Sequence, residues 1–291
     1  MQDPIRYVQS PYSYVDQPFK KQKNSSYEKL SSKLFEKDHE FTEKHFQKTR
    51  KTSNREDILE AFSRIGRCLN HVSRIEIPIE GLDKVCLILM NSYQNDDNDK
   101  YNPQIGVMND GYLVGLIHHR LGFKVFYLNN CISGNYPKWL PFFLQNTKND
   151  LTIFYSGQNS DGIQFKDKKI TKEQISKLIK ENNQGKCRTV FISDCPEGGT
   201  VFDISGQNKN NNENASEMIS MSIQKTTNPE SKNCKRSHGI FTYYLCKFIY
   251  DQPNITLKRL SERMKPSFER FNSQFVCETN KKELENEPLF K

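Results

Sequence analysis

One cysteine in this chain stands where nucleophiles often stand. In "RTVFISDCPEGGTVFDI" an apolar run of strand length ends at Asp194 and delivers Cys195 to a Pro- and Gly-rich turn. A thiol at a strand end attacks carbonyl carbon when a nearby base or cation makes it a thiolate. A second apolar run, "LTIFYSG", ends just before Gln158 and is followed by "QNSDG". Two strand ends of this type would lie together if the strands are neighbours, because sites in parallel sheets gather at carboxyl ends. The base, however, is missing nearby. No histidine lies between His119 and His238, and these two, with His118, read as surface or cap residues. Without activation Cys195 reads as a small half-buried residue at a strand end. Asp194 and Glu197, three apart, could pair as carboxylates, but no ligand cluster surrounds them and they read as solvated turn acids. The loop "NDDNDK" lacks the glycine and closing glutamate that a calcium loop needs. No metal and no cofactor are expected.

The elements that must position these residues begin near residue 80. Apolar runs and amphipathic stretches alternate from there: "KVCLILMNSY" as a strand buried on both faces, then "GVMNDGYLVGLIHHRLGF" as a helix closing on Gly122. "KVFYLNN", "LTIFYSG" and "CRTVFISDC" follow as strands, separated by the helices "YPKWLPFFLQNT" and "TKEQISKLIKEN". After the Asn-rich loop 205–216, expected to be mobile, come a short strand "EMISMSI" and helices beginning near "HGIFTYYLCKFI" and "TLKRLSERMKPSF". Such alternation predicts an α/β domain over 80–291 with a mainly parallel sheet.

The preceding residues differ in composition. Residues 1–53 form a basic arm with 11 Lys/Arg against 7 Asp/Glu, a share of the chain's net charge of +8. The arm starts extended, with Tyr7, Tyr12, Tyr14 and Phe19 as candidate partner anchors, and continues as a helix carrying Tyr27, Leu30, Leu34 and Phe41 on one face. "NREDILEAFSRIGRCLNHV", within a linking segment 54–79, is expected to be an amphipathic helix capped by Asn54. The basic balance admits an acidic partner or a solvated tail alike, and no nucleic-acid motif sharpens it. Eight cysteines at irregular spacing, with no CxxC pair, argue against zinc and for a reducing, intracellular compartment. The chain opens on a polar stretch without signal-peptide character and contains no run apolar and long enough to span a bilayer.

The run of segments resembles the caspase-like cysteine peptidases, metacaspases in particular. The resemblance covers about residues 80–275 and is carried by "KVCLILMNSY", by "GVMNDGYLVGLIHHRLGFKVFYL" with Asn109-Asp110, and by "LTIFYSGQ", "ISDCPEGGTVFDI" and "EMISMSIQKTTNPES". It implies a caspase-like α/β/α sandwich with a mainly parallel central sheet, carrying an extended and partly helical N-terminal arm. It also implies a site, and the site departs from the family. Gln158 takes the place of the catalytic histidine after Tyr155-Ser156-Gly157. In Asp-(Ser/Cys)-Cys-His-Ser-Gly, Asp194 matches the aspartate, Cys195 the variable position, Pro196 the nucleophile and Glu197 the next histidine. Proline has neither a nucleophilic atom nor an N–H for an oxyanion site. The acidic residue of the specificity pocket falls near Thr226 or Thr227.

The expectation is therefore a pseudoenzyme: a caspase-like domain without catalysis, used as a structural or protein-interaction module in an intracellular assembly such as cytoskeleton, axoneme or cilium. Two alternatives stand beside it. A one-residue shift, supported by the likeness of "ISDC" to the caspase strand end "IQAC", makes Cys195 the nucleophile of an endopeptidase. The third is a regulator that pairs with an active family member.

Overall fold

The computed structural model describes residues 55–91, 103–157, 161–183, 187–195, 201–204, 216–225, 240–269 and 273–291. In chain order these form α1 (Arg55–Ser63), β1 (Gly66–Cys68), β2 (Lys84–Asn91), α2 (Pro103–Arg120), β3 (Lys124–Asn129), α3 (Asn135–Asn146) and β4 (Asp150–Gly157). Next come β5 (Gly162–Gln164), β6 (Lys169–Thr171), α4 (Lys172–Asn182), β7 (Arg188–Asp194) and β8 (Met218–Lys225). The remainder is α5 (Ile240–Asp251), α6 (Leu257–Glu269) and β9 (Ser273–Thr279), followed by a 3-10 turn over Lys282–Asn286.

Seven strands make one sheet in the order β1-β3-β2-β4-β7-β8-β9. Every pairing is parallel except the last, β8 with β9. The central strands are apolar on both faces because each face is covered. Along β2, Cys86, Ile88 and Met90 enter one core with Ile58 and Phe62 of α1, Tyr112 and Val114 of α2, and residues of α5 and α6. The alternate residues Val85, Leu87 and Leu89 enter a second core with Trp139 and Phe143 of α3 and Ile175 and Ile179 of α4. Period-two alternation sends successive side chains to opposite helix layers. The α/β/α sandwich with a mainly parallel sheet is thus the observed architecture.

Two glycines shape how α2 lies on the sheet. A Cβ on Gly111 would stand 2.2 Å from the Met90 sulfur, so glycine lets the helix backbone close on β2. Gly122 has φ of 83° and ends the helix, with the Phe123 N–H donating back to the His118 carbonyl.

The structure corrects one expected element. The helix foreseen over 54–72 spans only Arg55–Ser63; Gly66–Cys68 instead joins the sheet as the edge strand β1, in register with Val125–Tyr127. Glycine at position 66 ends the helical run, and a Cβ there would meet Val125 at 2.9 Å. The linking segment 54–79 therefore packs into the main body through Ile58, Ala61, Phe62, Leu69 and Ile77. Asn54, its expected cap, lies outside the described residues, as do the arm 1–53, with Tyr7, Tyr12, Tyr14 and Phe19, and most of the loop 205–216. Among the described residues no helix is long and apolar enough to cross a membrane.

Candidate functional site

The strand order reverses between β2 and β4, and their carboxyl ends meet there: Asn91 pairs with Gly157, and Ser156 with Asp194 of β7. This is the switch point at which open α/β sheets hold their ligands. The two strand ends singled out by the sequence are thus adjacent. Gln158, Pro196, Glu197, Thr226 and Thr227 themselves lie outside the described residues, as does the loop "NDDNDK".

What surrounds these positions is built from buried polar side chains. Asn91 is fully buried, and its Nδ2 donates to the Gln164 carbonyl at 2.9 Å, tying β2 to the β5–β6 hairpin. Among the described residues its Oδ1 receives no hydrogen bond. The Ser156 hydroxyl donates to Asp110 Oδ2 of α2 at 3.4 Å.

Asp194 is not a solvated turn acid. It is 1% exposed, and its Oδ2 accepts from the Thr242 hydroxyl at 2.6 Å and the Thr242 N–H at 3.4 Å. Thr242 sits in the first turn of α5, where N–H groups lack helical partners and the helix dipole favours a negative charge. The carboxylate thus holds the start of α5 against the end of β7. Nothing in the sequence pattern pointed to Thr242, because 48 residues separate it from Asp194.

Cys195 is 4% exposed and lies in the apolar cluster with Tyr155, Val201, Phe202 and Ile204. It is therefore fully buried rather than half-buried. Burial, aided by the Asp194 charge, pushes its thiol well above the ordinary cysteine range. Such a sulfur stays protonated at neutral pH, the opposite of a nucleophile's tuning. Cys246 of α5 is raised in the same way, by burial and then by Asp110 and Asp194.

His118 also differs from expectation, while His238 lies outside the described residues. His118 is neither a surface nor a cap residue but is 1% exposed. Its Nδ1 donates to the Val114 carbonyl at 2.8 Å, which leaves Nε2 to accept from the Thr152 hydroxyl at 3.0 Å. Phe123 and Phe290 pack edge-on around the ring. Burial lowers its pKa to about 4. Thr152 lies four residues before Ser156 on β4, about 13 Å along the strand, so His118 serves the far end of the sheet. His71 follows β1, which β3, β2 and β4 separate from β7, at about 19 Å across the sheet. His119, half-buried at the end of α2, belongs to that same far end. Among the described residues no histidine can reach Cys195, and no group of His, Cys, Asp and Glu side chains forms a metal cage.

No family model and no curated protein matches the chain. Solved structures do. The chain is similar to the Drosophila initiator caspase Dronc, at 10% identity and a TM-score of 0.45, over 68% of this chain and 80% of that one. It is also similar to caspase-1 from Spodoptera frugiperda, at 12% identity and a TM-score of 0.47, over 72% and 93% of the two chains. A pro-form, pro-sf-caspase-1, matches at 13% identity and a TM-score of 0.44, over 68% and 88%. All three are caspases.

Proposed function

We propose that this chain is a caspase-like domain without peptidase chemistry, serving as a structural or protein-interaction module. The observation that carries the proposal is the condition of the thiol at the end of β7. Cys195 is sealed among apolar side chains, its proton is held more tightly than usual, and no described histidine reaches it. Its neighbour Asp194 is committed to Thr242, and so is occupied in fastening α5. A peptidase of this type needs an exposed thiolate with a base at hydrogen-bond distance. The matched residues Gln158 and Pro196 add no base and no nucleophile. The domain supplies a rigid body, and the basic arm with Tyr7, Tyr12, Tyr14 and Phe19 supplies reach toward neighbours in a large assembly, cytoskeletal or axonemal in kind.

The test is direct. The full chain and Cys195→Ala are incubated with arginyl, lysyl and aspartyl peptide substrates, with and without calcium. No cleavage above the Cys195→Ala background is expected; cleavage that depends on Cys195 establishes the endopeptidase instead. Partner capture with and without residues 1–53 then probes the interaction role, and capture unaffected by the truncation removes the arm from it.

A further inference from the structure

Beside the strand ends, the β5–β6 hairpin carries charge on a fixed support. Its tip places Lys166, Lys168 and Lys169 within four positions, all exposed. The carboxylate among them, Asp167, is turned onto a neighbouring loop: the Ser133 N–H donates to its Oδ1 and the Ser133 hydroxyl to its Oδ2, each at 2.6 Å. The Asn91 bond to Gln164 fixes the hairpin base to β2, and Ile163, Phe165 and Ile170 anchor its inner side in the core. The basic surface continues into α4, whose entry is set by the reciprocal bonds of Thr171 and Gln174. Lys172 is half-exposed there, and Lys177 and Lys180 are exposed further along. Over residues 166–181 six lysines face three acids, Asp167, Glu173 and Glu181, the last within 3.8 Å of Lys177.

We infer that this hairpin and the adjoining turn of α4 form a docking surface for an acidic segment of a partner protein. The chemistry selects among anions. Every cation on the surface is a lysine, a point charge suited to carboxylates without demanding a fixed two-pronged geometry. The hairpin's aromatic and aliphatic side chains face inward, so no ring is available to stack on a base, as single-stranded nucleic acid would require. No apolar side chain projects from the tip itself, and exposed Ile132 beside the Ser133 clamp is a single aliphatic residue, less than a stable membrane attachment would need besides the charge. The Ser133 clamp keeps Asp167, the acid at the hairpin tip, occupied and holds the hairpin in place before a partner arrives. The surface is independent of whether Cys195 does chemistry, so failure of one proposal leaves the other standing.

The experiment uses the full chain and a fluorescein-labelled polyglutamate peptide, followed by anisotropy at low and physiological salt. The triple variant Lys166→Glu, Lys168→Glu, Lys169→Glu is compared with Lys258→Glu, Arg259→Glu, Lys265→Glu, an equal charge change on exposed positions of α6. The hairpin variant should weaken binding at least about tenfold and the α6 variant less than about threefold, with wild-type affinity falling as salt rises. Equal losses in the two variants would mean that overall charge alone binds, and would overturn the proposal. It is likewise overturned if the wild type ignores the peptide, or if it prefers an oligonucleotide or phosphatidylserine vesicles through the same lysines.

Discussion

Asp194 shows how a residue of catalytic appearance can have another occupation. Its carboxylate closes the first turn of α5 through Thr242, and that bond is charge-assisted and out of water. Truncation to Ala removes the acceptor and strands a buried hydroxyl and N–H. Asp194→Ala should therefore lose about 2–3 kcal/mol in urea unfolding, with Asp194→Asn, which keeps an acceptor oxygen, losing less. An unchanged midpoint for Asp194→Ala would show that the carboxylate does not fasten α5. The thiol next door has a complementary role. Cys195 fills apolar space under Phe202 and Val201, which is how an unactivated cysteine stabilises a core.

At the scale of elements, the amino ends of the strands are as tightly organised as the carboxyl ends. Arg188 opens β7 with its side chain fully buried. Its Nε donates to Glu217 at 2.8 Å, and its two terminal nitrogens bond Glu287 and the Pro288 carbonyl. The Lys291 N–H meets both oxygens of Asp150, the first residue of β4, at 3.1 Å, and Lys84 at the start of β2 lies 3.7 Å from the same carboxylate. Residues 287–291 thus strap three parallel strands together beneath the site. Arg188 is fully buried, whereas Glu217 and Glu287 are 25% and 45% exposed, so removing the arginine leaves carboxylates that water still reaches but strands the Pro288 carbonyl. Arg188→Ala should cost about 2–3 kcal/mol in chemical unfolding. Arg188→Met, which fills similar volume without the charge, should recover part of that loss; if the two variants match wild type, the strap holds nothing.

For the whole molecule the strap also introduces a dependence on acidity. Phe290 closes the aromatic surround of His118, whose neutral ring accepts from Thr152. Its pKa of about 4 in the fold lies below the ordinary 6.5. Between these values the unfolded chain binds the proton and the folded chain does not, so acid favours unfolding. This contribution is complete above pH 6.5 and is lost progressively as pH falls toward 4, by about 3 kcal/mol in all. Urea midpoints of wild type should drop across that window more steeply than those of His118→Phe. Parallel pH profiles would remove His118 from the account.

Much of this was legible in the residues themselves. Long apolar runs separated by amphipathic stretches fixed the order of β2, α2, β3, α3, β4, α4, β7 and β8, because strands buried on both faces must be continuously apolar. The end of α2 could be placed at Gly122, since a left-handed residue after a helix favours glycine. The short strands could not be read. Three residues in β1, β5 and β6 are too few to show a period, so the hairpin that carries Lys166, Lys168 and Lys169 appeared only with the tertiary structure. The same holds for buried polar residues. His118 and Asp194 have the types of surface residues, and only partners 34 and 48 positions away show that each is held inside.

By itself, then, the sequence determined the layered α/β plan and the position of Cys195 at a strand end, both consequences of local hydrophobic pattern. Tertiary structure decided which strands are neighbours, that the thiol faces the core, and that the adjoining acid grips α5. Those outcomes depend on contacts between residues far apart in the chain, where local pattern carries no information and burial settles whether a group reacts or packs.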